Sequence, residues 1–300
     1  EQQWLQTQQE LVRAYQNALK QKPYERTIAQ LNQTLLQPSF SEAQLLAAVK
    51  SSVREDVLNI KQQFFKQLHA VILGHGNISK NQLLKSSQLL SNIIDNSEHI
   101  QVGRKQVKQL AHKVTKQTVI AEHADNAMTL YFQAQTQSSK ERATMGLIAQ
   151  IIKAPYYTLM RTQRKHGYIV FGTAYPMLEQ GGLAFIVQSP STPSQTLFEE
   201  TQVFIQEFVT TLKNMPDEEY QAHQQGLIAN LVKKPLNLKE KTNRYWRDID
   251  IDNNQFNTYD ELAKQVALLS KQEIITYIQK YLISNEKKAL LLSFDGSTQP

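Results

Sequence analysis

Cysteine is absent from all 300 residues. That removes disulfides, thiolate metal centres and cysteine nucleophiles together, and it fits a periplasmic chain. Long apolar runs are missing as well. The longest, such as YIVF at 168–171 and LAFIV at 183–187, are strand-sized and far short of the ~20 consecutive apolar residues that span a bilayer, so no membrane span is expected. There is no start methionine and no apolar signal core: EQQWLQTQQE is polar and helical from the first residue, which reads as a mature chain or a fragment. Glycine and proline are sparse, 10 and 9 residues, beside 41% hydrophobic and 20% charged residues. This is the composition of an ordinary globular chain, long enough for about two domains.

Several motifs are also missing. No GxGxxG and no P-loop lysine motif occurs, and SPSTPS at 189–194 is a linker without a nucleophile elbow. The seven histidines, at 69, 75, 99, 112, 123, 166 and 223, include no pair four apart, so no helical zinc pair is expected and no metal ligand is assigned. DIDIDN (Asp248, Asp250, Asp252) imitates the start of a calcium loop, but Asn253 and Tyr259 stand where such a loop needs Gly and Glu. It reads as a helix end and a solvated turn.

What is present is a basic excess, net +6 with pI near 9.2. It gathers at 104–116, at Arg161, Arg164 and Lys165, and at Lys233, Lys234, Lys239 and Lys241. Without interleaved aromatics or a known module these are solvated faces, and nucleic acid is not an expected partner.

Apolar residues at three-to-four spacing predict successive helices over 1–68. The run AVIL before Gly74 predicts a buried strand at 70–74 entering a turn at 74–77, with Ser79 capping a helix to about Asp95. VKQLA (107–111), QTVIAEHA (117–124) and MTLYFQAQ (128–135) read as strands. Ser138 with Glu141 caps a helix that Pro155 interrupts or restarts into 156–165. Strands at 167–175 and 182–189 follow, then helices from 194, from Pro216, and over 238–250, 258–268 and 271–282, and a closing strand at 288–294. The expected class is α+β, with an antiparallel or mixed sheet covered by helices. The tails of the two stretches, 1–102 and 103–300, share a helices-then-strand layout that hints at duplication.

The segment LMRTQRKHGYIVFG (159–172) carries the candidate site. An Arg at a helix end usually covers carbonyls, and a Tyr at a strand start usually packs its ring. Here, however, Met160-Arg161-Thr162 and Gly167-Tyr168-Ile169-Val170 resemble the LRT…GY.V signature in the C-terminal half of the pitrilysin and insulin-degrading-enzyme (insulinase) family of zinc peptidases. LGHGNIS (73–79), MTLYFQAQ (128–135), GGLAFIVQS (181–189) and KKPLNLKEKTNRYWRDI (233–249) resemble further blocks of that family in the same order.

The resemblance implies the end of a third αβ module (1–102, incomplete) and a whole fourth module (103–300). It implies a chamber wall facing a zinc site held by the N-terminal half of the same polypeptide. Arg161 and Tyr168 would contact peptide substrate there as two donors converging across a turn at Gly167, and no catalytic residue or zinc ligand would come from this chain. Alone, the chain would not hydrolyse peptides. The rival implication is an inactive scaffold or subunit of the same fold. Periplasmic or secreted location follows family habit. Gln163, Arg164, Lys165 and His166 replace the family's commoner Glu-Glu-Gln-Leu, so substrate preference does not carry over.

Overall fold

A computed structural model describes residues 1–64, 66, 69–94 and 103–296. The leading helices form largely as the periodicity predicts: α1 (Gln2–Leu19), α2 (Pro23–Leu35), α3 (Glu42–Ser51) and α4 (Arg54–Phe64). Pro23 opens α2, where a missing N–H costs nothing, and Ser41 caps α3 reciprocally with Gln44. α5 (Lys80–Ile94) starts where Ser79 accepts from the Gln82 N–H at 3.2 Å. Among the described residues the short β1 (Leu36–Gln37) pairs only with β2 (Gln106–Val107). Leu68, Asp95 and His99 lie outside the described residues.

The rest is one mixed sheet wrapped by helices. Its strands are β3 (Val114–Thr118), β4 (Asn126–Gln133), β5 (Ile169–Ala174), β6 (Gly182–Ser189) and β7 (Lys288–Phe294), in the order β3-β7-β4-β6-β5. Only β3 and β7 run parallel; the other neighbours are antiparallel. The helices are α6 (Ser139–Tyr157), α7 (Ser194–Asn214), α8 (Asp217–Val232), α9 (Leu238–Asp250), α10 (Thr258–Leu268) and α11 (Lys271–Ile278).

Side-chain alternation explains why the central strands read as continuous apolar runs. On one face Met128, Leu130, Phe132, Leu183, Phe185 and Val187 pack under α6, α7 and α11. On the other, Ala127, Tyr131, Ala184, Ile186, Leu290 and Leu292 meet Leu31 and Leu35 of α2. Both faces are covered, so both sets of alternate positions are mostly apolar, and Thr129 and Gln188 among them are buried with hydrogen-bond partners. α2 is held there by its Thr27, Leu31, Leu35 stripe and by a buried Thr27–Thr129 hydroxyl pair at 2.7 Å.

Three expectations need correction. No strand forms at 70–74: Val71 and Ile72 are exposed, because no described strand lies alongside to pair their backbone, and the hint of duplication loses its first strand. VKQLA contributes only Val107 to the β1–β2 pair. The strand placed at 117–124 instead begins at Val114, drawn into register with Ala289 of β7, and ends at Thr118, leaving Ile120 exposed.

Tyr131 is fully buried, and among the described residues its hydroxyl has no hydrogen-bond partner. Burial raises its pKa, with Tyr175 adding to the effect. An unmet hydroxyl costs about 1–3 kcal/mol, so Tyr131→Phe should leave the melting temperature unchanged or raise it, by up to about 1 kcal/mol in denaturant titration. A loss of stability would mean that the hydroxyl has a partner after all.

Candidate functional site

The LMRTQRKHGYIVFG segment joins α6 to β5. Pro155 does not break α6; the helix runs through it to Tyr157 and then widens into a π-helical turn over Thr158–Gln163. The widening is closed by Arg164 N–H donating to the Leu159 carbonyl and His166 N–H to the Met160 carbonyl, both at 2.9 Å. Such turns recur at functional sites because they re-aim one side chain. Here that side chain is Arg161, which lies over the Tyr157 ring at 5.7 Å and donates to the Tyr168 carbonyl. No carboxylate pairs with Arg161 among the described residues.

Gly167 does not make the turn expected of it. The left-handed residue is Lys165, at φ 56°. Gly167 is required for close approach instead: a Cβ there would run into the Gln188 carbonyl oxygen and lie 3.0 Å from Val187 Cγ1. The chain can therefore press against β6 and deliver Tyr168 to the end of that strand.

Tyr168 is part of a closed hydrogen-bond network that has no motif in the sequence. The residue is 45% exposed, but its hydroxyl donates to Asp125 Oδ2 at 2.6 Å. Gln188, fully buried, donates through Nε2 to Tyr168 Oη at 2.6 Å and to Asp125 Oδ2 at 2.8 Å. Its Oε1 accepts the Tyr24 backbone N–H at 3.2 Å. A backbone N–H can only donate, so the amide cannot be turned round, and Nε2 must face the phenol. Tyr168 Oη is then an acceptor from Gln188, and its single proton belongs to Asp125.

The electrostatics agree. Burial pushes the Asp125 carboxyl up, but the hydrogen bonds from Tyr168 and Gln188, and then His123, outweigh it and hold the group below its ordinary range. Burial, then Asp125, pushes the Tyr168 phenol up to about 12. The network contributes to stability above the ordinary carboxylate range. It weakens only as pH falls through the lowered Asp125 value, or rises from about 10 towards about 12. Asp125→Asn should lower the Tyr168 pKa, read from the difference in phenolate absorbance titration between each protein and its Tyr168→Phe counterpart. An unmoved titration would show that the carboxylate does not hold the proton.

Beside this network runs a groove of about 1370 Å³, bounded by β5, α6 and the helices α8 to α10. Tyr157, whose ring Arg161 overlies, and Val170, two residues after Tyr168, line one end of it. Asp248, read from sequence as part of a solvated turn, is only 3% exposed and lines the groove. Among the described residues no three His, Asp or Glu side chains gather as a metal-binding set.

The model of the PQQ synthase PqqF-like C-terminal lobe domain 4 matches residues 147–246. The insulin-degrading enzyme of Drosophila melanogaster is 23% identical over 294 residues, covering 95% of this chain and 30% of that protein. A crystal structure of pitrilysin superimposes with a TM-score of 0.87 at 21% identity, over 100% of this chain and 32% of that one. The periplasmic protease PqqL from Escherichia coli follows at 0.60 and 14%, over 98% and 33%. The chain thus spans about a third of the length of these proteins. Over nearly all of its length the chain is thus similar to a part of pitrilysin and of insulin-degrading enzyme, and over 147–246 to a C-terminal lobe domain.

Proposed function

We propose that this chain is the zinc-free C-terminal half of a periplasmic or secreted zinc metalloendopeptidase, forming the chamber wall and substrate grip opposite a zinc held by the N-terminal half. The observation that supports it is that Arg161, with no carboxylate partner among the described residues, is hydrogen-bonded to the backbone of the same residue, Tyr168, whose phenol holds a proton on Asp125. In this role Arg161 offers its remaining N–H groups to the carbonyl of the bond being cut. Tyr168, neutral at any working pH, gives a proton only to an acceptor stronger than ionised Asp125. A neutral peptide carbonyl does not meet that demand, whereas an oxygen developing negative charge does. An interaction made in the transition state and withheld from the ground state raises turnover and not mere affinity.

The two halves must close before both donors reach the substrate, a gating step. The absent cysteines and the likeness to a periplasmic protease support the compartment. Substitution of Arg161 and Tyr168 in the full-length polypeptide, with turnover and melting temperature both measured, tests the reading.

A further inference from the structure

β5 is the last strand of its sheet, and among the described residues nothing pairs with its outer edge. The Tyr175 N–H donates inward to the Gly182 carbonyl. Antiparallel strands alternate inward- and outward-facing residues, so Thr173, Phe171 and Ile169 also face β6. Val170, Gly172 and Ala174 turn their N–H and C=O groups outward, and residues 170–176 line the groove along this edge. β5 spans about 20 Å at ~3.3 Å per residue. α6 between Arg142 and Tyr157, the two ends of the groove along it, spans about 22 Å at ~1.5 Å per residue.

The far end holds two polar atoms in want of partners. The Arg142 backbone abuts Gly181, beside the first residue of β6. Among the described residues its Nε is buried without a hydrogen bond, and so is Oδ1 of Asp248. No ion pair joins the two side chains among the described residues. One atom wants an acceptor and the other a donor.

We infer that this groove binds an extended peptide segment of about six residues as an additional strand on β5, with Arg142 and Asp248 taking a carbonyl and an N–H at its far end. Unpaired strand-edge groups are matched by another backbone. The volume exceeds the ~300–1,000 Å³ of small-molecule pockets, which favours a polymer. The lining mixes Arg142, Lys153 and Arg247 with Asp248 and Asp250, so neither a polyanion nor a polycation fits better than a neutral chain. The site needs no zinc and no partner lobe. A peptide seated in it runs from Arg142 towards Arg161 and Tyr168.

Hydrogen exchange of the 300-residue chain with and without fluorescein-labelled casein, an unfolded polypeptide, tests this. Casein should slow exchange of the Val170, Gly172 and Ala174 amides. Ala174→Pro removes an outward N–H at an edge, where proline is tolerated; it should weaken casein binding, read by anisotropy, about tenfold or more with an unchanged melting temperature. Thr173→Pro, which breaks an inward bond, should instead lower the melting temperature. Asp248→Ala should weaken binding by a similar factor.

Unslowed exchange at those amides in the presence of casein overturns the inference. So does wild-type binding by Ala174→Pro. So does protection that rises with protein concentration when no casein is added, since a second copy would then be the occupant.

Discussion

Arg161→Ala in the full-length polypeptide is expected to lower peptide turnover by about 100-fold or more, the loss found when one donor to a developing oxyanion is removed. Folding should be nearly untouched. The side chain is partly exposed, and its contacts are one hydrogen bond to the Tyr168 carbonyl and the Tyr157 ring, which together contribute up to about 1 kcal/mol. Tyr168→Phe should act in the same direction and remove the proton while keeping the ring. It leaves Asp125 with Gln188 as its remaining side-chain donor, so a modest drop in melting temperature is expected beside the kinetic loss. The decisive comparison is kcat against KM. A donor used only in the transition state lowers kcat and kcat/KM together, whereas a general peptide contact raises KM alone. Full turnover with reduced stability in both variants would confine the pair to a structural role.

Gly167→Ala should produce the largest structural effect of any single methyl added near the site. The new Cβ collides with the backbone carbonyl of Gln188 and crowds Val187, and a strand carbonyl in the middle of a paired sheet has nowhere to go. Overpacking of this kind costs about 3 kcal/mol. The segment must lift from β6 to accommodate it, which carries Tyr168 away from Gln188 and Asp125. Thermal denaturation should show the stability loss, and the Tyr168 titration should move down from about 12 as the phenol leaves its buried partners. A variant as stable as the parent would mean that the loop relaxes freely and that the glycine serves no close approach.

Much of the fold could be read from periodicity because local and tertiary demands coincide there. α9 and α10 begin and end where the pattern places them, with Asn237 accepting the Glu240 N–H to start α9. The failures share a cause. The apolar run at 70–73 has strand composition, but a strand needs a neighbour, and composition does not say whether one is present. The sequence at 114–124 offers two overlapping windows of strand-like residues, and the pairing of Val114 with Ala289 across 175 residues decides between them.

At the candidate site, resemblance singles out Arg161 and Tyr168, which single-residue reasoning does not. Asp125 and Gln188 carried no signal: one sits in an unremarkable turn, the other in an apolar strand. Their importance comes from meeting a phenol that begins 20 residues from one and 43 from the other. Asp248 misled because a repeated acid pattern looks solvated, whereas the packing of α9 beside α10 encloses it.

The Tyr24 amide, reaching across to Gln188 from the first turn of α2, has a lasting consequence for how such a protein can change. Recombination that severed the chain near residue 103 and grafted the later portion elsewhere would strip one side of the sheet of its cover. It would also free the glutamine to rotate, erasing the direction of a proton more than twenty residues away from the cut. Ancestral stretches that look like separable cassettes are in this respect bound to a common inheritance.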